Sequence, residues 1–417
     1  MDHVGARLSA YLLDSWQMRT DLIQAAPILA LNSGSSSLKF ALYSAPSNAN
    51  DEVRLIYRGA VEGIGFRESR FWIRPADSAP SDSLEEQKST IATHAEAIRA
   101  VAAKIAGLSS GAPVAIGHRI VHGGPHLLEH CRITPQVLAQ LEAAAPFAPL
   151  HVPVSLALIR AAQQHFPSAP QFACFDTAFH RTLPEAAARL PLPEKFWASG
   201  IRRYGFHGLS CESALHALGH DARPRLIVAH LGNGASITAV ANGASVDTTM
   251  GLTPTGGILM STRTGDLDPG VIVHLLANSR LDAPQLEVLL DKQSGLLGVS
   301  GISGDMRELH HAIDKPGARL AVRMFCLSAK KAIAGFIAVL GGLDQLVFTG
   351  GIGEHDAVVR EGICEGLQSF GLAIDRHANS RHDPLISESA ARTQIRIIPA
   401  NEEAQIARHS LRLLHSI

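Results

Sequence analysis

One device, used twice, constrains this chain more than anything else in it. A short apolar run at 28–31 leads into Asn32-Ser33-Gly34-Ser35-Ser36-Ser37, and a second strand-like run follows at 38–43. Much further along, the apolar run 226–230 leads through Gly232-Asn233-Gly234-Ala235-Ser236 into a return run at 237–240. Each reads as a β-hairpin whose turn consists of residues too small to keep an anion away from the backbone. One such hairpin says little, because hairpins are common. Two of the same design point to two similar domains, and 417 residues are enough for two cores.

The second half alternates between helix and strand. Apolar residues at helical spacing predict a helix over 321–340, stopped by Gly341-Gly342. A strand follows at 343–349, and Gly350-Gly351-Ile352-Gly353 then leads into another helix. A last strand at 395–398 and a last helix at 401–414 complete an α/β pattern. In the first half, 95–106 reads as a helix and the polar stretch 74–89 as an exposed loop.

Charge excludes some partners. Acidic and basic residues nearly cancel, 38 against 37, so neither nucleic acid nor membrane would be held by bulk charge. An anionic substrate must instead be caught by a few placed cations. Five cysteines form no CxxC pair and are odd in number, which fits a reducing cytoplasm. The apolar stretch 332–343 is too short to span a bilayer. Twenty-one histidines show neither an HExxH motif nor a Cys/His cluster, so most are expected to be ordinary surface or core residues. Residues 1–26 carry Asp2, Asp14 and Asp21 and no apolar core, so they read as an extension rather than a secretory signal.

Both turns offer backbone N–H groups to phosphate oxygens, although the GxxxxGK[ST] loop is absent. Lys39 adds a cation just past the first turn, and Asn32 offers an amide oxygen suited to a hydrated Mg2+. The cluster 350–354, after a strand and before a helix, can seat a nucleotide at a helix N-terminus. Arg119, directly after the strand-like run 113–116, and Arg263, in Met260-Ser261-Thr262-Arg263-Thr264-Gly265-Asp266, are candidate anion clamps, because a guanidinium binds carboxylate or phosphate through two parallel bonds. Asp176 and His180 share one segment, and His207 sits in Arg202-Arg203-Tyr204-Gly205-Phe206-His207-Gly208. Any of these taken singly is more often a salt bridge or a satisfied core residue than a catalyst.

Together, and in order, the segments 32–40, 117–124, 149–153, 175–180, 202–208, 230–236, 247–270, 294–307, 348–354 and 398–408 resemble the acetate kinase family. The resemblance runs from about residue 28 to the end of the chain. It implies a two-domain α/β fold of the sugar kinase/Hsp70/actin type (ribonuclease H-like), with duplicated mixed sheets of five strands each and flanking helices around a cleft. The expected domains are 27–176, completed by 399–417, and 177–398, the latter binding nucleotide and mediating dimerisation. The implied reaction is reversible transfer of the ATP γ-phosphate to acetate, giving acetyl phosphate and ADP in a cytoplasmic homodimer. Mg2+ is the implied cofactor, with Mn2+ as an alternative ion. The other expectations are a propionate or butyrate kinase, or a catalytically silent nucleotide-binding regulator on the same fold.

Residue by residue, the resemblance assigns Asn32 and Glu402 to the metal and Arg119 to the carboxylate. It makes Asp176 the catalytic aspartate, and His207 and Arg263 the groups that stabilise the transition state. Val121, Leu150, Phe206 and Pro254 match the small apolar acid pocket. Lys39, then His230, Leu231, Gly232, Asn233 and Gly234, then Asp305, Met306 and Arg307, then Gly353, Glu354, His355, Asp356 and Ala357 match nucleotide contacts. The sequence departs from the commonest family pattern at Ser33, Val152, Cys211, Thr255-Gly256 and His355, none of which is a charged residue assigned to the chemistry.

Overall fold

The computed structural model describes residues 27–416 apart from 35, 48–51, 79–84, 109, 150 and 280. The extension expected over 1–26, and Leu150, therefore lie outside the described residues. The chain divides into two compact units, one running up to Phe175 and resuming at Glu402, the other spanning Asp176–Asn401.

The first unit is a mixed sheet of β1 (Ile28–Ser33), β2 (Ser37–Tyr43), β3 (Leu55–Glu62), β4 (Ser69–Pro75), β5 (Glu85–Ser89), β6 (Ala115–Ile120), β7 (Cys131–Arg132) and β8 (Gln171–Phe175). Their order is β5-β4-β3-β2-β1-β6-β8-β7, eight strands where five were expected. β1 is buried along its whole length, which is why it reads as a continuous apolar run. It pairs antiparallel with β2, placing Asn32 opposite Lys39, and parallel with β6, placing Leu31 opposite His118. Asn32 and Arg119 follow one step on.

On one face Leu29, Leu31, Leu38, Phe40 and Leu42 pack with Ile98, Val101 and Ile105 of the helix His94–Ala106, and with Leu158 and Ala162 of Val152–His165. The helix Glu402–Leu414 packs against β1, β2, β6 and β8. Gly117 permits that approach, since a Cβ there would stand 2.3 Å from Ser410 Oγ and 2.4 Å from Ile406 Cγ2.

Two local expectations are corrected. Arg119 lies within β6, not after a strand ending at 116. Gly117 and His118 lie past that expected strand end, but the first makes room for a helix. The second is buried and bonded to Gln171 Oε1 at 2.7 Å, and burial pushes its imidazole down to about 4. The stretch 74–89 is not simply a loop, because β5 pairs with β4 as an edge strand. Its Glu86 and Lys88 carry charges of the kind that keep an edge from pairing further.

The second unit holds β9 (Arg225–Leu231), β10 (Ala235–Ala241), β11 (Ala244–Thr248), β12 (Gln345–Thr349) and β13 (Gln394–Ile397), in the order β11-β10-β9-β12-β13. β9 runs antiparallel to β10 and parallel to β12, so Ser236 and Thr349 both flank His230. Leu226, Val228, Val240 and Val347 pack with Cys211, Ala214 and Leu218 of the helix Gly208–Leu218. The long helix Pro316–Leu340 lies on β9 and β10 and ends at Gly341 with φ 67°.

The cluster 350–354 is corrected as well. It is not a loop before a helix, because Gly350–His355 is itself helical. Gly350 serves close packing: a Cβ there would stand 2.8 Å from the Leu231 carbonyl oxygen, at φ 79°. The fold is the expected α/β arrangement of two mixed sheets with flanking helices. Among the described residues no helix is long and apolar enough to cross a membrane.

Candidate active site

In the first unit the candidate residues gather at the ends of β1 and β6. Asn32, nearly buried, donates through Nδ2 to Glu402 Oε2 at 2.9 Å and to Glu403 Oε1 at 2.8 Å. Its Oδ1 accepts from Arg119 Nη1 at 3.1 Å, and Arg119 Nε lies 3.9 Å from Glu402 Oε2. One amide therefore joins a guanidinium to two carboxylates. The amide oxygen expected for a metal is turned to Arg119, and the oxygens beside it are carboxylates. This hard-oxygen set fits Mg2+. Glu403 was not expected from the sequence, although it adjoins Glu402. Lys39 is exposed and Val121 buried. Behind the first turn, His94 Nε2 donates to the Gly34 carbonyl at 2.9 Å.

In the second unit the candidates gather at the turn between β9 and β10. His207 caps the helix Gly208–Leu218 in the left-handed region, at φ 60°, where a non-glycine residue is strained. Gly208 follows because a Cβ there would stand 2.3 Å from the carbonyl oxygen of the buried Asp176, to which its N–H donates at 2.8 Å. The His207 Nδ1 bonds Ser236 Oγ at 3.0 Å, and the ring stacks on His230 with centroids 4.2 Å apart. A Cβ on Gly234 would stand 3.2 Å from His207 Nε2 and 3.5 Å from Arg263 Nη1. An imidazole and a guanidinium thus flank the small-residue turn. Arg263 Nη1 also donates to the Pro254 carbonyl at 3.2 Å.

Ser261 ties the neighbouring segments together. Its N–H donates to the Asn233 carbonyl at 3.3 Å and its hydroxyl to the Gly304 carbonyl at 2.5 Å. The segment 305–307 is thereby linked to the turn 230–234. Asp305 accepts from Arg307 Nη2 at 2.6 Å, which holds its carboxyl below the usual range. Glu354 Oε1 accepts from the Gly350 N–H at 2.9 Å, and the wholly buried Arg360 donates to the carbonyls of Gly353 and Glu354, each at 2.9 Å. His310 Nε2 bonds Asp356 Oδ2 at 2.7 Å, tying the helix after Asp305 to the segment 353–357.

The chain matches the model of the acetokinase family over residues 27–408. It belongs to that family. Members of the acetokinase family are kinases acting on a carboxylate, with ATP as the phosphoryl donor. Among its relatives, an acetate kinase of Streptomyces coelicolor is 44% identical, covering 93% of this chain and 97% of that protein. An acetate kinase of Methylocella silvestris is 41% identical over 93% and 98%. A propionate kinase of Citrobacter rodentium is 39% identical over 93% and 96%. Among solved structures, the acetate kinase of Porphyromonas gingivalis superposes with a TM-score of 0.81 at 35% identity, covering 94% of this chain and all of that one. The propionate kinase of Francisella tularensis gives 0.85 at 35% identity, covering 93% of this chain and all of that one.

Within this acetokinase the candidate residues form two groups, each internally connected. Asn32, Arg119 and Glu402 belong to the first unit, with Lys39 and Val121. Asp176, Phe206, His207, the turn 230–234, Pro254, Arg263 and the segments 305–307 and 353–357 belong to the second. His180, also singled out from sequence, is buried between Ser245 Oγ and the Phe206 carbonyl, each at 2.9 Å, and burial pushes it down to about 4. That environment makes it a structural residue. Ser210, Ser236, Ser261, His310, Arg360 and Glu403 were missed. Only Ser236, Ser261 and Glu403 carried a signal, the first inside the second turn motif, the second inside the Arg263 motif and the third beside a candidate.

Proposed function

We propose that this chain is an acetate kinase, carrying the γ-phosphoryl group of ATP to acetate by direct in-line transfer and running the reverse reaction from acetyl phosphate and ADP. One observation carries the reading: His207 and Arg263 flank the small-residue turn at Gly234, a pair of donors set against backbone that can approach a phosphate. The transferring group spreads negative charge over its equatorial oxygens, so catalysis is mainly positioning and neutralisation. A carboxylic acid has a pKa near ~4 and is already ionised at neutral pH, so no strong base is required. Arg119, held by Asn32 and Glu402, is the carboxylate clamp, and Asp176 orients rather than abstracts a proton. Lys39 and the segments 230–234, 305–307 and 353–357 hold the nucleotide. Glu402 and Glu403, with Asn32, would hold Mg2+, which when bound supplies charge neutralisation at the phosphates.

Val121 supports acetate over a longer acid, since a smaller residue there would make room for one more methylene. One methylene is worth only about 1–3 kcal/mol in selection, and relatives of similar identity are propionate kinases, so propionate is the second reading. A homodimer is supported by the helix Pro269–Asn278, which buries none of its residues and exposes Val271, Val273 and Leu276. The enzyme is assigned to the cytoplasm.

The test is purified protein with MgATP and formate, acetate, propionate or butyrate, trapping acyl phosphate with hydroxylamine. The highest kcat/KM is expected for acetate. A higher value for propionate moves the assignment to propionate, and no acyl phosphate from any acid ends it.

A further inference from the structure

The two stacked imidazoles of the second unit are braced crosswise. His207, at the start of the helix Gly208–Leu218, has its Nδ1 3.0 Å from Ser236 Oγ on β10. His230, on β9, has its Nδ1 2.8 Å from Ser210 Oγ on that same helix. Each element thus lends its neighbour's imidazole a hydroxyl. Both serines are wholly buried, where a hydroxyl is kept only if it is bonded. Neither serine is among the residues assigned to the reaction, and neither abuts Gly234 as His207 does.

The chemistry decides which group donates. The Nε2 edge of His207 faces the Gly234 turn, where the reading above places an anionic phosphoryl group. A neutral imidazole helps there only if Nε2 carries the proton, since its lone pair would repel the phosphoryl oxygens. Nδ1 must then be the acceptor, and the hydroxyl beside it the donor.

We propose that Ser236 is a positioning residue that donates to His207 Nδ1 and so fixes the Nε2–H tautomer towards Gly234 and Arg263, with Ser210 doing the same for His230. The proposal rests on the acyl-kinase reading for its kinetic consequence, but its structural content can be measured without turnover.

The experiment has two arms. Full-length wild-type protein labelled with 15N-histidine is observed by long-range 1H–15N correlation, with and without MgADP, and His207 is assigned by its loss in His207→Gln. An Nε2–H tautomer is expected, and an Nδ1–H tautomer overturns the proposal even if no acid is phosphorylated. In the kinetic arm, Ser236→Ala should lower kcat about 10–100-fold, the range for groups that orient a working imidazole, with nucleotide KM changed less than about threefold. Ser236→Thr, which keeps the hydroxyl, should recover most of that loss. Ser210→Ala should mainly raise nucleotide KM. A folded Ser236→Ala protein with wild-type kcat, or a Ser236→Thr protein no better than the alanine variant, overturns the proposal. If the alanine variant does not fold, the wild-type spectrum still decides.

Discussion

The Oδ1 of Asn32 accepts a hydrogen bond from Arg119 Nη1 at 3.1 Å, while its Nδ2 faces two carboxylates. A guanidinium and a pair of acids are therefore set by one neutral side chain at the end of a buried strand. Replacing Asn32 with alanine removes the hydrogen bond from Arg119 Nη1 and the donor that Glu402 and Glu403 share. Loss of such bonds is worth about 1–3 kcal/mol. The Asn32→Ala enzyme should show an acid KM raised about tenfold or more and a higher Mg2+ requirement, read from initial rates across both titrations. Unaltered metal dependence would refute the role of this cluster.

Arg263 stands beside the same turn as His207, so its removal should act on the transition state more than on binding. Arg263→Ala should lower kcat about 100–1,000-fold, the loss typical of a deleted charge-stabilising donor, with nucleotide KM shifted only a few fold. An unchanged kcat with a raised acid KM would make it a binding residue.

The His310–Asp356 contact predicts a pH dependence. The hydrogen bond to Asp356 raises the His310 pKa. Burial opposes the Asp356 charge, but the His310 bond and the Val359 N–H outweigh it, and that pKa falls. A raised histidine contributes stability that is complete below its unfolded value, about 6.5, and is lost as pH rises through the folded one. A lowered aspartate contributes above about 3.9 and loses it as pH falls through its folded value. The Tm difference between wild type and His310→Ala should therefore be largest near pH 5–6 and shrink towards pH 9. A difference flat across that range would dismiss the ion pair.

Glycine positions give opposite stability effects. Gly117→Ala drives a Cβ against Ser410 and Ile406 and should cost about 1–3 kcal/mol by chemical denaturation. Gly335, inside the helix Pro316–Leu340 towards its C-terminal end, has nothing within 4 Å of an added Cβ. Gly335→Ala should gain about 0.5–1 kcal/mol.

Both hairpins were legible in the sequence because their leading strands are largely apolar runs and their turns are nearly all small residues. So were Arg119, His207 and Arg263, through ordered motifs. What escaped depended on packing between segments remote in sequence. Gly117 and His118 look poor strand residues until the Glu402–Leu414 helix and Gln171 are in place. The glycines at 350 and 353 imitate a loop until they lie against β9. Ser210 and His310 make their key bonds to residues on other elements, and nothing local in the chain announces such partners.

The helix that covers β1 and supplies Glu402 is encoded after the whole of the second unit. During synthesis the strands it covers emerge first and wait while the intervening unit is made. The same late segment that closes that core also delivers the acids facing Asn32. Completion of the first fold and arrival of its chemistry are therefore one event, and a ribosome that stops early leaves a protein that has neither.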